Sequence, residues 1–255
     1  MRKYVLLLVP VLLHVAPVRA AAQISLGCAR PAQLASPFAF VQVNGVCADL
    51  SAFVTQAAKG WRLDTRTTVA GATIDLHAVF NPDPSISFSG TTLNPTAAAT
   101  PYTFFFGLPI VPDVYSLAMS SVKFSVTSPQ GTTTVDNSAL YPTYLSGYGS
   151  NGAALTNLGV DAGTNACVAT GTAASTDCPA EGRSQALTPM FFDNLEAFIT
   201  FSQDNALSSA TFTGEVSVAQ AQEVTVTPEP ASMALLGTGL LALGVASVRR
   251  RRSEL

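Results

Sequence analysis

Thr67-Thr68-Val69-Ala70-Gly71-Ala72-Thr73-Ile74-Asp75-Leu76-His77-Ala78-Val79-Phe80 decides the fold class, because its second half alternates by twos. Ile74, Leu76, Ala78 and Phe80 fall on one face, and Asp75, His77 and Val79 on the other. A period of two is that of a pleated strand with one buried face, not of a helix. Pro82 and Pro84 end the strand, since proline has no N–H to give to a ladder.

The same reading extends in both directions. Residues 85–90 put Ile86 and Phe88 on one face, and residues 39–46 form a strand ahead of Cys47. Residues 101–107 and 114–127 form a pair across Pro109 and Pro112. In the second, Leu117, Met119, Ser121 and Lys123 alternate with Ala118, Ser120, Val122, Phe124 and Val126. Residues 197–202 and 209–218 supply late strands. A single helix is expected at residues 50–59, capped by Asp49 and stopped by Gly60. Short strands rich in Thr, Val and Phe, punctuated by Gly and Pro, predict an all-β, β-sandwich or jelly-roll-like extracytoplasmic domain over residues 23–218. Residues 128–181 are rich in Gly, Ser, Thr and Asn, with Tyr141, Tyr144 and Tyr148 spaced along them. A structureless loop of that length is unusual in a compact domain, so short irregular strands are expected there.

Four cysteines, Cys28, Cys47, Cys167 and Cys178, form an even set in an exported chain, which points to disulfides. Three pairings are possible; Cys28–Cys47 and Cys167–Cys178 are favoured because each closes a short loop. No metal site is expected: no two cysteines have CxxC spacing, and His77 is the one histidine outside the leader.

The two ends carry addresses. Arg2 and Lys3 precede an apolar run and a small-residue region, so residues 1–22 read as a signal peptide for Sec-type export. Residues 231–248 are uncharged and apolar; eighteen residues at ~1.5 Å each make a helix just long enough to cross a bilayer's hydrocarbon core. Arg249, Arg250, Arg251 and Arg252 follow, and positive charge beside a span stays cytoplasmic. Residues 219–227 serve as a linker. Between leader and tail, six basic residues face fourteen acidic ones, a balance of −8 against −3 for the whole chain. Such a Lys-poor, acidic domain is not a nucleic-acid binder, since phosphate contacts need clustered Lys and Arg.

Pro228-Glu229-Pro230, then a Gly-containing apolar segment, then the arginine cluster, resembles the PEP-CTERM sorting signal of Gram-negative bacteria. The resemblance covers residues 228–252. It implies recognition by an exosortase-type membrane transpeptidase, cleavage near the motif, and delivery to the envelope or to extracellular polymer such as an exopolysaccharide or biofilm matrix. The two prolines suit a cleavage site, because they hold the backbone extended and outside the helix. The sequence Gly237-Thr238-Gly239-Leu240-Leu241-Ala242 matches a dinucleotide fingerprint, but it lies inside the apolar span rather than between a strand and a soluble helix.

No catalytic constellation emerges from the middle, and the chain is expected to be neither an enzyme nor a cofactor binder. There is no G-x-S-x-G elbow, and Asp75 and His77 on one strand face read as solvated surface. Asp83, Asp136, Asp161, Asp177 and Asp204 sit where turns are expected. Asn81, Asp83 and Ser85 could offer oxygens to calcium, but their spacing fits no EF-hand. Trp61, Tyr141, Tyr144 and Tyr148 could form a carbohydrate platform. Phe104-Phe105-Phe106 cannot all face one way, which ordinary packing explains if the sheet is covered on both sides. The expected function is structural or adhesive; a carboxylate-pair polysaccharide enzyme and a glycan-binding module are the alternatives.

Overall fold

The computed structural model describes residues 28, 31, 34–138, 141–152 and 154–220. The expected leader at 1–22, the linker beyond Gln220, Pro228-Glu229-Pro230, the apolar segment 231–248 and Arg249, Arg250, Arg251 and Arg252 lie outside the described residues. Among the described residues no helix is long and apolar enough to cross a membrane.

The described chain is all-β, as expected. Its strands are β1 (Phe38–Val43), β2 (Val46–Asp49), β3 (Val54–Ala57), β4 (Gly60–Val69), β5 (Ala72–Asn81), β6 (Ser85–Leu93), β7 (Thr100–Ser128), β8 (Thr132–Asp136), β9 (Leu145–Asn151), β10 (Ala154–Asn157), β11 (Cys167–Thr170), β12 (Ala174–Asp177), β13 (Glu181–Gln203) and β14 (Ser209–Ala219). All pairings are antiparallel and belong to one hydrogen-bonded sheet.

The helix expected at 50–59 is absent. Asp49 does not cap it: its Oδ1 accepts the Ser51 N–H at 2.8 Å in an Asx turn, and one 3-10 turn, Ser51–Phe53, follows with Leu50 as its N-cap and no side-chain cap. Val54 and Thr55 then find a sheet partner in β4, Val54 opposite Leu63, and β-branched residues favour that pleated surface. Gly60 is a hairpin residue rather than a helix stop. Its φ is +112°, and a Cβ there would lie 2.2 Å from the Phe80 carbonyl oxygen.

The opening stretch is likewise two strands. Ala70 (φ 49°) and Gly71 (φ 83°) form a tight turn between β4 and β5 with Val69 opposite Ala72. The alternation from Ile74 onward holds, with Ile74, Leu76, Ala78 and Phe80 buried.

A third correction concerns β7, which was expected as two strands. It runs unbroken for 29 residues through Pro109 and Pro112. Its first half lies between β1 and the second half of β13; its second half lies between β14 and the first half of β13. β1 pairs with β7 as far as Gly107, and β14 takes up that edge only from Leu117. Both prolines fall in the gap, where a missing N–H costs that edge nothing. β13 bends alongside, with register shifts between Ala186 and Met190 and between Phe192 and Asn194.

The bends fold the sheet onto itself, so its two layers are halves of one sheet rather than separate sheets. One layer is β2-β1-β7-β13-β9-β10, using the first half of β7; the other is β7-β14-β6-β5-β4-β3, using the second. Aromatic rings join them: Phe104 lies 4.9 Å from Phe212, Phe106 stacks on Phe88 at 5.5 Å, and Phe124 meets Phe201 at 5.2 Å. A smaller core of Phe38, Phe40, Phe105 and Phe198 covers the other face of the first layer. Phe104 and Phe106 therefore enter one core and Phe105 the other, the two-sided covering that ordinary packing requires.

Residues 128–181 hold five short strands, as expected, with β11 pairing β8 and β12 pairing the end of β7. Cys28 is joined to Cys47 and Cys167 to Cys178, with Cα separations of 5.7 and 5.8 Å.

Candidate functional site

The outer face of the second layer presents its side chains in rows, because residues directly opposite in an antiparallel pair share a face. One row reads Asp64, His77, Ser89, Thr213, Lys123 across β4, β5, β6, β14 and β7. The next reads Arg66, Asp75, Thr91, Thr211, Ser125. Hydroxyls dominate the centre, and Thr91 Oγ1 meets Thr211 Oγ1 at 3.1 Å.

Charge gathers at the β4–β5 end. His77 Nδ1 is 2.6 Å from Asp64 Oδ1, and its Nε2 is 3.1 Å from Asp75 Oδ1. Arg62 completes the group, its Nη2 donating to Asp64 Oδ1 at 3.1 Å. The hydrogen bond from His77, then that from Arg62, holds the Asp64 carboxyl below its ordinary range. Asp64, His77 and Ser89 stand in the order of a charge-relay triad. Both imidazole nitrogens already face carboxylates, however, so neither is left to take a proton from the serine. The group is an exposed ion-pair ladder. The sequence placed Asp75 and His77 together but missed Asp64, because the Ala70-Gly71 turn that brings β4 alongside β5 carries neither Asn nor Asp.

The aromatic candidates do not form a platform. Trp61 packs against the main core, and Tyr144 lies within it, its hydroxyl donating to the Val135 carbonyl at 2.9 Å. Tyr141 meets Phe198 at 4.9 Å, and both Tyr141 and Tyr148 pack on the smaller core. Burial pushes all three tyrosine pKa values up.

Two recesses stand out among the described residues. A cavity of ≈ 160 Å³ beside the Cys167–Cys178 bridge is lined by Val122, Phe124, Tyr144 and Glu181. Glu181 accepts from the Thr164 N–H at 3.1 Å and the Asn165 Nδ2 at 2.9 Å, so its carboxylate fastens a loop. A shallower recess of ≈ 200 Å³ lies on the outer face between Met119, Ser121, Glu215 and Ser217. Each holds one carboxylate, and a glycosidase needs a facing pair. Asn81 Oδ1 accepts the Asp83 N–H at 3.1 Å, which is turn chemistry. Among the described residues no three His, Cys, Asp or Glu side chains gather as metal ligands.

Comparison with known proteins adds one address and little else. The family model of the PEP-CTERM protein-sorting motif matches residues 226–252. Such a motif implies export and association with the envelope, and is generally processed by an exosortase, a membrane enzyme. No curated protein matches the chain. A solved structure described as TmCBM61 in complex with β-1,4-galactotriose resembles it at 7% identity over 62% of this chain and 88% of that one. Its TM-score is 0.24.

Proposed function

We propose that this bearer of a PEP-CTERM sorting motif is a structural or adhesive protein of the cell envelope or extracellular matrix. It is held by its tail in the inner membrane, C-terminus inward, until an exosortase-type transpeptidase acts near Pro228-Glu229-Pro230. The observation that carries the reading is the order of parts: an all-β domain closed by two disulfides, then the motif. Disulfides persist in oxidising compartments, so the staples agree with an extracytoplasmic destination. The decisive experiment is intact-mass and C-terminal peptide mapping of the native protein in host strains with and without the candidate exosortase. A mature form ending near residues 228–230 only when the enzyme is present supports the reading. Retention of residues 231–248 in both strains overturns the processing step.

A second reading, a glycan-binding module, is favoured by the hydroxyl rows of Ser85, Ser87, Ser89 and Thr91 beside Thr211 and Thr213. Co-sedimentation of the protein with the host's exopolysaccharide tests it; no binding at millimolar sugar would set it aside.

A further inference from the structure

Protein cores are packed closely, and voids larger than a water molecule are few. The cavity of ≈ 160 Å³ beside the Cys167–Cys178 bridge is such a void. Val122 and Phe124 of β7 line it together with Tyr144, Cys167 and Glu181. Ala166, which also lines it, is exposed.

Every wall is pinned, so the cavity does not close by local collapse. The Cys178 N–H donates to the Phe124 carbonyl at 2.9 Å, and Glu181 stands opposite Val122 in the ladder. The Tyr144 N–H donates to the Gly163 carbonyl at 2.8 Å. Gly163 has a φ of +82°, and a Cβ there would lie 2.5 Å from the Tyr144 ring, so glycine is what lets this loop approach so closely. The Glu181 carboxylate holds the same loop through Thr164 and Asn165. A site framed in this way is formed before a guest arrives, and binding loses little entropy to ordering it.

The lining says what the guest is. A buried water needs about two to four polar partners. The Tyr144 hydroxyl is already 2.9 Å from the Val135 carbonyl and 3.1 Å from that of Asn165, so its one proton is committed. Val122, Phe124 and the disulfide offer water no strong partner. An apolar cavity of about 150 Å³ stays dry and accepts a guest of benzene's size. Among the described residues, Glu181 is the one charged group in the lining, and no lysine or arginine forms an ion pair with it. Arg183, next along that face of β13, is exposed. Burial, then the carboxylates of Asp136 and Glu181, push the Tyr144 hydroxyl up, which marks the surroundings as electronegative. A carboxylate accepts about four hydrogen bonds, and the Glu181 carboxylate receives its bonds from Thr164 and Asn165 alone.

We propose that this cavity binds a small ring-shaped amine: the ring fills the space against Phe124 and Tyr144, and the ammonium donates to Glu181. A charge-assisted bond of this kind favours a cation, and the same carboxylate repels an anion. Neither sorting by the tail nor glycan contact at the hydroxyl rows depends on this site.

The test uses the full-length protein in detergent with both disulfides intact and its valine methyl groups labelled with carbon-13. Benzylamine, benzyl alcohol and benzoate are the probes. The Val122 methyls report the cavity, and Val79, exposed on β5, reports adsorption elsewhere. The expected result is a saturable shift of Val122, and not of Val79, with benzylamine binding at least about fivefold more tightly than benzoate, the sum of an attraction and a repulsion at a half-buried carboxylate. Ala166→Trp, a change at an exposed position, should obstruct entry and abolish the Val122 shift. Glu181→Gln should bring benzylamine down to the affinity of benzyl alcohol. Should Glu181→Gln fail to fold, the benzylamine-to-benzoate ratio in the wild type decides the role of the carboxylate. No saturable shift at Val122, or one undiminished in a folded Ala166→Trp protein, refutes the site. Benzoate bound as tightly as benzylamine refutes the amine.

Discussion

Tyr102 is fully buried, stacked at 5.2 Å on Phe201, and its hydroxyl has no hydrogen-bond partner. A buried hydroxyl stripped of water and unpaired costs about 1–3 kcal/mol. Tyr102→Phe is therefore expected to raise stability by about 1 kcal/mol in urea unfolding; a loss would show that the hydroxyl is satisfied. Gly214 makes the opposite case. A Cβ there would sit 2.5 Å from both the Phe88 ring and the Ser121 carbonyl oxygen, and the latter is backbone. Gly214→Ala should cost about 1–3 kcal/mol, read as a lowered urea midpoint. Asp64 supplies a pH dependence. Its folded pKa is depressed, so its ion-pair contribution is present above the ordinary value of 3.8 and fades as pH falls through the folded value. Because the group is exposed the effect is small. The midpoint difference between wild type and Asp64→Asn should be measurable near neutrality and vanish once pH has fallen through the depressed folded value. None of these three sites was legible beforehand. Each depends on what a distant segment brings alongside, and a single chain read in order carries no distance between Gly214 and Phe88.

At the scale of elements, the sequence served well wherever alternation was local. Ile74 to Phe80, Ile86 and Phe88, and Ala118 to Val126 all bury the face their period indicates. It failed at the punctuation. Pro109 and Pro112 looked like a break because proline cannot serve a ladder, yet they sit where β7 changes partners. Asp49 signalled a cap, but it forms an Asx turn with Ser51 instead, and helix propagation lost to the sheet edge offered by β4. The two disulfides were legible from loop length alone. The Cys167–Cys178 bridge closes an 11-residue separation that holds β11 and β12 together against β7 and β8. By loop-closure entropy its removal as a Cys167→Ala, Cys178→Ala pair should cost about 3 kcal/mol. Denaturant unfolding of that variant, against wild type with and without reductant, checks the figure. A much smaller loss would mean that the segment holds itself in place.

Taken whole, the domain hangs on its aromatic seam. Phe212 approaches the rings of Phe88, Phe104, Phe124 and Phe201 at 4.9–6.3 Å, so it touches both layers at once. Phe212→Ala should remove about 3–5 kcal/mol, much of the ~5–15 kcal/mol that holds a typical domain together. Loss of cooperative thermal unfolding in that variant is the expected readout; a fully cooperative, nearly unshifted transition would mean that the layers hold without the seam.

The central place of β7 also bears on how the protein is exported. β7 pairs Phe104 with Ile199 and Phe124 with Phe212, nearly a hundred residues ahead. A ribosome must therefore deliver almost the entire domain before its middle strand can be flanked on both sides. Long-range closures of this kind are slow. A nascent chain of this design stays loose through most of its synthesis, which is the condition a polypeptide must meet to be threaded through a translocation pore.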